Sequence, residues 1–279
     1  MILLDGKEVS TNIRKKLKEQ IEKFPQRPKL IDIQIGHNDA SDIYIKGKEK
    51  AANAIGIDFE CLRYDEKTKE EEIIKTIKKL NTDKTVNGIF IQSPVADGFN
   101  EIKLINTVDP LKDVDGLTFL NAGKLINKDE SLISCTPNGI IKMLKFYNIK
   151  ISSKRVVIVG RSNLVGKPLT NLFINEDATV TLCHSKTINL KEITKEADIL
   201  VVAIGKKQFI TEDMIKENAI VIDVGINRHE GKIYGDVDFK NASLKASYIT
   251  PVPGGVGPMT ITMLLYNVVK AYKMQNKID

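Results

Sequence analysis

Seven short runs rich in β-branched and aliphatic residues recur along the chain: LIDIQI (30–35), IDFECLR (57–63), VNGIFI (86–91), RVVIV (155–159), TVTLC (179–183), DILVVA (198–203) and AIVID (219–223). Amphipathic segments separate them, the pattern of parallel strands joined by helices. The clearest helix is 69–80. Thr68 stands where a cap belongs and Glu71 where a capping box closes. Ile73, Ile77 and Leu80 form one apolar stripe, with acids leading and lysines trailing as the helix dipole favours.

The first three strand–helix units end near residue 110, a loop-rich stretch follows, and a helix begins near Pro137. A chain of 279 residues suits two domains of about 100–150 residues each. The expected fold is therefore α/β, with two α/β domains and a cleft between them. The first is residues 1–136, completed by a C-terminal helix over 258–279 that starts at Pro258, a favoured first-turn position. The second, residues 137–257, is a Rossmann-like nucleotide-binding domain.

Composition excludes several classes. Cys61, Cys135 and Cys183 are scattered and form no C-x-x-C pair, which argues against a disulfide framework and against a structural zinc site. No metal is expected. MILLDGKEVS is too short an apolar run for a signal peptide, and Ile199–Ile204 is far below the length of a membrane span, so a cytoplasmic protein without a membrane partner is expected. The net charge of +6 suits an anionic partner. A nucleic-acid binder would want clustered cations with exposed aromatics, yet aromatics are 6% and Trp is absent. No nucleic-acid partner is expected.

The segment RVVIVGRSNLVGKPLTNLF reads as a buried strand, a glycine turn and a helix start. Gly160 and Gly166 are separated by five residues, a departure from G-x-G-x-x-G, but the strand–turn–helix context is the one a phosphate-binding turn needs. NAD binders usually place Asp or Glu at the end of the next strand. Here the residues are Cys183, His184, Ser185 and Lys186. A carboxylate would repel a 2′-phosphate, whereas Ser185, Lys186 and Arg161 attract one, so NADP is the expected cofactor.

On a helical wheel Tyr44 shares about a 100° arc with Lys48, Ala51, Ala52 and Ile55, while Lys46, Glu49, Lys50 and Asn53 face the other way. An ammonium in an apolar wall has its charged form disfavoured, which suits proton transfer near neutrality. Lys48 is thus a candidate catalytic group, unless it snorkels past the alanines into solvent. Tyr44, one turn away, is placed to hydrogen-bond it. The Y-x-x-x-K spacing also occurs in short-chain dehydrogenases, but there it follows the nucleotide-binding turn and here it precedes it.

Three loops add candidates. Gln92 follows the third strand, where ligands bind in open α/β sheets. Asp113 and Asp115 flank a turn at Gly116, and one of them is placed to accept two N–H bonds from an amidine-like heterocycle. ITPVPGGVGPMTITML puts bare backbone before the last helix, where a flat ring approaches closely.

Taken together, Ser41-x-x-Tyr44-x-x-x-Lys48, Lys112-Asp-Val-Asp-Gly116, Cys135-Thr-Pro-x-Gly139, Gly160-Arg-Ser-x-x-Val-Gly166, Cys183-His-Ser-Lys-Thr187 and Thr250-Pro-Val-Pro-Gly-Gly-Val-Gly-Pro-Met-Thr260 resemble the bifunctional methylenetetrahydrofolate dehydrogenase/methenyltetrahydrofolate cyclohydrolase family. The motifs run in family order from residue 41 to 260. One loop departs: where the family has Gln-Leu-Pro-Leu-Pro, this chain has Gln92-Ser-Pro-Val-Ala96. The resemblance implies NADP-dependent oxidation of 5,10-methylenetetrahydrofolate and hydrolysis of the methenyl product to 10-formyltetrahydrofolate. It implies Lys48 as the catalytic group, held by Tyr44 and Gln92. Asp115 would anchor the pterin, and Pro253, Gly254 and Gly255 would line the folate pocket. Gly160, Arg161, Ser162, Ser185 and Ile226 would bind NADP. A homodimer acting on folates, including polyglutamylated ones, is also implied. The competing reading is another two-domain NADP dehydrogenase, related to shikimate dehydrogenase, with no need for Gln92 or the proline–glycine loop.

Overall fold

A computed structural model describes residues 1–37, 39–129 and 132–278. Its elements begin with β1 (Ile2–Leu3), α1 (Gly6–Ile21), β2 (Lys29–Ile35), α2 (Asp39–Ile55), β3 (Asp58–Tyr64), α3 (Glu70–Thr82) and β4 (Gly88–Ile91). Three helices follow: α4 (Glu101–Thr107), α5 (Phe119–Ile126) and α6 (Cys135–Phe146). Then come β5 (Arg155–Val159), α7 (Gly166–Asn175), β6 (Thr179–Cys183), α8 (Leu190–Thr194), β7 (Ile199–Val202) and β8 (Ile220–Asp223). The chain closes with β9 (Asn227–His229), β10 (Lys232–Tyr234), α9 (Phe239–Lys245), β11 (Tyr248–Ile249) and α10 (Val256–Asn276). All seven apolar runs form strands. Among the described residues no helix is long and apolar enough to cross a membrane.

The chain divides into two compact units, Asn12–Cys135 with Ile261–Asp279, and Met1–Thr11 with Thr136–Thr260. In the former, β3, β2 and β4 form a parallel sheet with β2 central. Side chains alternate across a strand. Ile31, Ile33 and Ile35 therefore share one face, packed with Ile73 and Ile77 of α3, Ile89 and Ile91 of β4 and Leu104 of α4. The opposite face of β2 presents Leu30, Asp32 and Gln34, all buried. In register, Asp32 stands between Cys61 of β3 and Phe90 of β4.

The helix expected over 69–80 forms, but its expected cap does not. The N-cap is Lys69, without a side-chain bond, and the Thr68 N–H that a capping box would offer to Glu71 is instead taken by the Asp65 carbonyl at 2.9 Å. At the other end Lys112 donates to the carbonyls of Leu80 and Asp83 at 2.8 and 2.6 Å, closing the orphan acceptors of α3. The stretch after residue 110 also holds more order than its composition suggests: Thr118 caps α5 by accepting the Asn121 N–H.

In the other unit the strand order is β1-β11-β8-β7-β5-β6, and every pairing is parallel. Here the structure departs from the expected boundary, since the first eleven residues group with this unit, Ile2 and Leu3 pairing in its sheet, rather than with the first domain. Ile2 and Leu4 donate backbone bonds to Ser247 and Ile249 at 2.8 and 2.9 Å. A two-residue strand carries no periodicity, so nothing in its sequence announces the pairing. The sheet interior is aliphatic, with Val157, Val159, Leu200, Val202 and Val221 in one buried cluster. Strand order reverses at β5, which has β6 on one side and β7 on the other, the topological position where open α/β sheets bind ligands.

Asn267 of α10 ties that helix to its unit. Its side-chain amide donates to the buried carbonyls of Val114 and Ile133, both at 2.8 Å. An Asn267→Leu substitution leaves the Ile133 carbonyl without that donor and the Val114 carbonyl with only the weak Cys135 thiol at 3.4 Å. It is expected to lower stability by about 2–4 kcal/mol, read as a lower urea midpoint at unchanged slope.

Candidate active site

Helical period, not composition, separates Lys48 from its neighbours. Ser41, Ile45, Lys48, Ala51, Ala52 and Ile55 of α2 are buried, whereas Lys46 and Lys50 are exposed. Lys48 is 4% exposed and does not snorkel to water. Its Nζ donates to Gln92 Oε1 at 2.7 Å and lies 3.8 Å from the centroid of the Phe90 ring. It is also in ion-pair contact with Asp32 Oδ2. The apolar wall expected around Lys48 is thus only partly apolar, because the strand behind it supplies a carboxylate.

Gln92 sits just past the carboxyl end of β4, fixed by its N–H to the Ile33 carbonyl at 2.9 Å. Its amide points one way: Oε1 accepts from Lys48, and Nε2 donates to the Ser93 carbonyl at 2.8 Å. The departures in this loop are each satisfied locally. Ser93 donates to the Glu101 carboxylate, and the Ala96 N–H reaches the Ile35 carbonyl at 3.2 Å, a bond proline has no hydrogen to make.

The two aspartates of the turn at Gly116 have different work. Asp113 is buried and accepts from the N–H groups of Gly116, Leu117 and Thr118 and from Asn121 Nδ2, all within 3.2 Å. Its lone pairs are used by its own loop. Gly116 has φ +69°, and a Cβ there would come within 2.6 Å of the Ile133–Ser134 backbone, so only glycine turns the chain here. Asp115, partly exposed, is left for other partners. Burial first, and the charge of Asp113 second, push its carboxyl up to about 7, while the Cys135 thiol and the charge of Lys48 pull it back. Burial, and then the Asp115 charge, push the Cys135 thiol up.

Tyr44 lies on the exposed flank of α2 at 43% exposure and makes no hydrogen bond among the described residues. The structure therefore joins Lys48 to Gln92 directly, brings Asp115 within the field of Lys48, and leaves Tyr44 unbonded to either. Asp32, Phe90 and Cys135 were not among the sequence candidates. The available signal was the pair of polar residues at alternate positions of LIDIQI, an otherwise aliphatic strand.

In the other unit, β5 ends at a turn built on missing side chains. Gly160 has φ +126°, and a Cβ on it would meet the Ala203 carbonyl oxygen at 2.2 Å; one on Gly166 would meet the Gly160 carbonyl oxygen at 1.9 Å. Ser162 Oγ accepts the Val165 N–H at 3.1 Å and shapes the entry to α7. Arg161, Ser162, Ser185 and Ile226 are exposed, and the residues from His184 to Thr187 carry no carboxylate. Pro253, Gly254 and Gly255 precede α10, with the Gly255 N–H closing a turn onto the Pro251 carbonyl at 2.8 Å.

A bare turn before a helix start, in a unit separate from a buried lysine–glutamine pair, is the arrangement of a nucleotide-dependent enzyme. Comparison with known proteins agrees. The family described as tetrahydrofolate dehydrogenase/cyclohydrolase matches with its catalytic domain over residues 4–115 and with its NAD(P)-binding domain over residues 134–276. The chain belongs to the tetrahydrofolate dehydrogenase/cyclohydrolase family. As a member it is a bifunctional dehydrogenase and cyclohydrolase. It is 49% identical over 275 residues to the bifunctional protein FolD of Exiguobacterium sibiricum, covering 98% of this chain and 99% of that one. The FolD structure from Campylobacter jejuni superposes with a TM-score of 0.96 at 44% identity, over 98% of this chain and 99% of the other. That from Trypanosoma brucei, in complex with NADP cofactor and inhibitor, gives 0.94 at 32% identity, over 99% of each chain. A shikimate dehydrogenase from Aquifex aeolicus reaches 0.54 at 15% identity, over 91% and 94%, which shows a shared fold alone. The shikimate-dehydrogenase reading is set aside.

An acid whose pKa rises on folding binds its proton more tightly in the folded chain than in the unfolded one. Its contribution is full below the ordinary value of 3.8 and is lost as pH climbs toward about 7. Asp115→Asn removes that loss. The variant's urea midpoint, compared with that of the unsubstituted chain, is expected to gain more at about pH 8 than at about pH 5.

Proposed function

We propose that this family member oxidises 5,10-methylenetetrahydrofolate by hydride transfer to NADP and hydrolyses the methenyl product to 10-formyltetrahydrofolate, with Lys48 as the catalytic group of the hydrolysis. The observation that carries this is the buried Lys48 ammonium held on Gln92 Oε1 at 2.7 Å, while Lys46 and Lys50 of the same helix face water. Hydrolysis forms a bond from water oxygen to the methenyl carbon and breaks that carbon's bond to N5. One water proton passes to the Lys48 amine on addition, a proton returns from the lysine to N5 as the ring opens, and the second water proton leaves to solvent. A lysine fixed by an amide supplies this two-way transfer without reorganising.

Oxidation asks less of acids and more of placement. Bound NADP supplies the hydride acceptor. Gly160 fits its pyrophosphate because the bare turn admits close approach of the backbone. Arg161, Ser162 and Ser185 suit a 2′-phosphate, and Ile226 suits the nicotinamide side. In the substrate unit Asp115, unlike Asp113, retains capacity to hold the pterin. Tyr44 offers a hydroxyl one turn from Lys48; in the other unit Pro253, Gly254 and Gly255 offer bare backbone suited to a flat ring. Following the family pattern, we also propose a cytoplasmic homodimer that accepts folates with glutamate tails and needs no nucleic acid.

Absorbance of the methenyl compound tests both steps in one cuvette. It is expected to appear with NADP and methylenetetrahydrofolate, and then to decay. A Lys48→Met variant is expected to stop the decay while still binding NADP; hydrolysis at the unsubstituted rate would remove Lys48 from the mechanism. Ser185→Asp places a carboxylate against the 2′-phosphate and is expected to weaken NADP binding about tenfold, with little change for NAD, by titration calorimetry.

A further inference from the structure

Among the described residues four aspartates are buried: Asp32, Asp113, Asp223 and Asp236. Three of them knot loops. Asp113 takes four N–H donors, as above. Asp223 takes the backbone N–H groups of Gly225, Asp236 and Val237. Asp236 takes those of Ile204, Gly205 and Lys206, with Asn227 Nδ2 as a fourth. Asp32 differs. It has zero exposure, sits on the central strand of its sheet, and takes no backbone or amide N–H on either oxygen. What faces it is the Lys48 ammonium, in ion-pair contact with Oδ2.

A buried carboxylate whose one facing donor is an ammonium is costly to bury and depends on that partner for its compensation. We infer that Asp32 is the proton partner of Lys48, a positioning residue that shares one proton with the amine and so keeps the pair electrically neutral beside a cationic substrate. This rests on Lys48 being the catalytic group. With the proton on nitrogen the pair is ammonium and carboxylate; with it on oxygen the pair is amine and carboxylic acid. Neither form adds net charge, so the methenyl cation is not repelled by either. The second form presents the amine that takes the first water proton. When the ammonium has passed a proton to N5, the pair again holds the one it began with.

The surroundings favour such sharing. Burial raises the Asp32 carboxyl above the ordinary range, and the charge and hydrogen bond of Lys48, then the charge of Arg63, draw it back. The titratable groups facing it are Lys48 from α2, Cys61 and Arg63 from β3, and Asp115 from the Gly116 turn; β4 contributes the uncharged Phe90 and Gln92. Arg63 is drawn outward, its Nε bonded to Gln34 Oε1 at 3.0 Å and its Nη2 3.7 Å from Asp42. Lys48 is therefore the cation in contact with Asp32.

The test is the pH dependence of methenyltetrahydrofolate hydrolysis by Asp32→Asn, with Lys48→Met beside it. Without the carboxylate the charged ammonium loses its stabilisation. The rising limb of the rate is expected to move to lower pH by at least about one unit, a tenfold change in proton activity. On the acid side of that limb the KM for the methenyl cation should rise several-fold, where the unsubstituted enzyme shows a flat KM. A folded Asp32→Asn enzyme with unmoved limb and flat KM would overturn the inference while leaving Lys48 in place. Hydrolysis by Lys48→Met at the unsubstituted rate would instead overturn the reading beneath it. Should Asp32→Asn fail to fold, the Asp32 carboxyl carbon is titrated by NMR in the unsubstituted and Lys48→Met chains. Loss of the ammonium is expected to raise its midpoint by at least about one unit, and coincident midpoints would overturn the pairing.

Discussion

The site depends on the register of β2. Because successive side chains point to opposite faces, the alignment that sends Ile31, Ile33 and Ile35 into the core with α3 must send Asp32 and Gln34 to the other side. A slip of one residue would drive a carboxylate and an amide into an aliphatic layer and bare three isoleucines. The hydrophobic effect thus fixes, at no extra cost, where the polar groups stand. Asp32 meets Lys48 and Gln34 meets Asp42, both from α2, the latter with the Gln34 amide 3.0 Å from Asp42 Oδ1. Two polar contacts six residues apart in sequence, Asp42 two positions before Tyr44 and Lys48 four after it, set the roll of that helix.

The nucleotide-binding unit reaches function by the opposite route. Its turn after β5 depends on missing side chains: Gly160 and Gly166 leave no room for a Cβ, so bare backbone lines the turn. Its buried acids are structural. Asp236 gathers three consecutive N–H groups from residues 204–206 just beyond β7, and Asp223 fastens the far side through Val237. Burial raises Asp223 to about 6, even though backbone donors oppose the shift. The same residue type therefore serves as a knot in one unit and faces an amine in the other. Counting donors, not measuring burial, tells the two uses apart.

Much of this was legible in the sequence wherever a period or a spacing carries it. The seven strands were readable because each must bury an aliphatic run, and Lys48 stood apart from Lys46 and Lys50 because 3.6 residues per turn places it with Ala51, Ala52 and Ile55. Features set by a distant partner were not readable. The two residues of β1 take their place from β11, some 245 positions away, through backbone bonds any sequence can make. Thr68 has the chemistry of a cap, but the local turn to Asp65 uses its N–H first. Asp113 and Asp115 are equivalent in a motif; only the folded loop, with four donors on one and none of them on the other, assigns their work.

Lys48 shows why a helical wheel is half of an electrostatic argument. Alanine neighbours alone would dehydrate the ammonium and push it toward the neutral amine, and neutrality would then be a property of one residue. The strand beneath changes the problem. With Asp32 in contact, the uncharged unit is the pair, and on the inferred mechanism the position of its single proton would follow the reaction. That matters for an enzyme whose two steps ask different things of one site. Oxidation builds positive charge on the folate, and hydrolysis removes it. A lone ammonium would resist the first step, and a lone amine would be protonated in the course of the second. On the proposed mechanism, a lysine and a carboxylate held against Phe90 and Gln92 would give both steps the same neutral background, with proton transfer confined to groups already in contact.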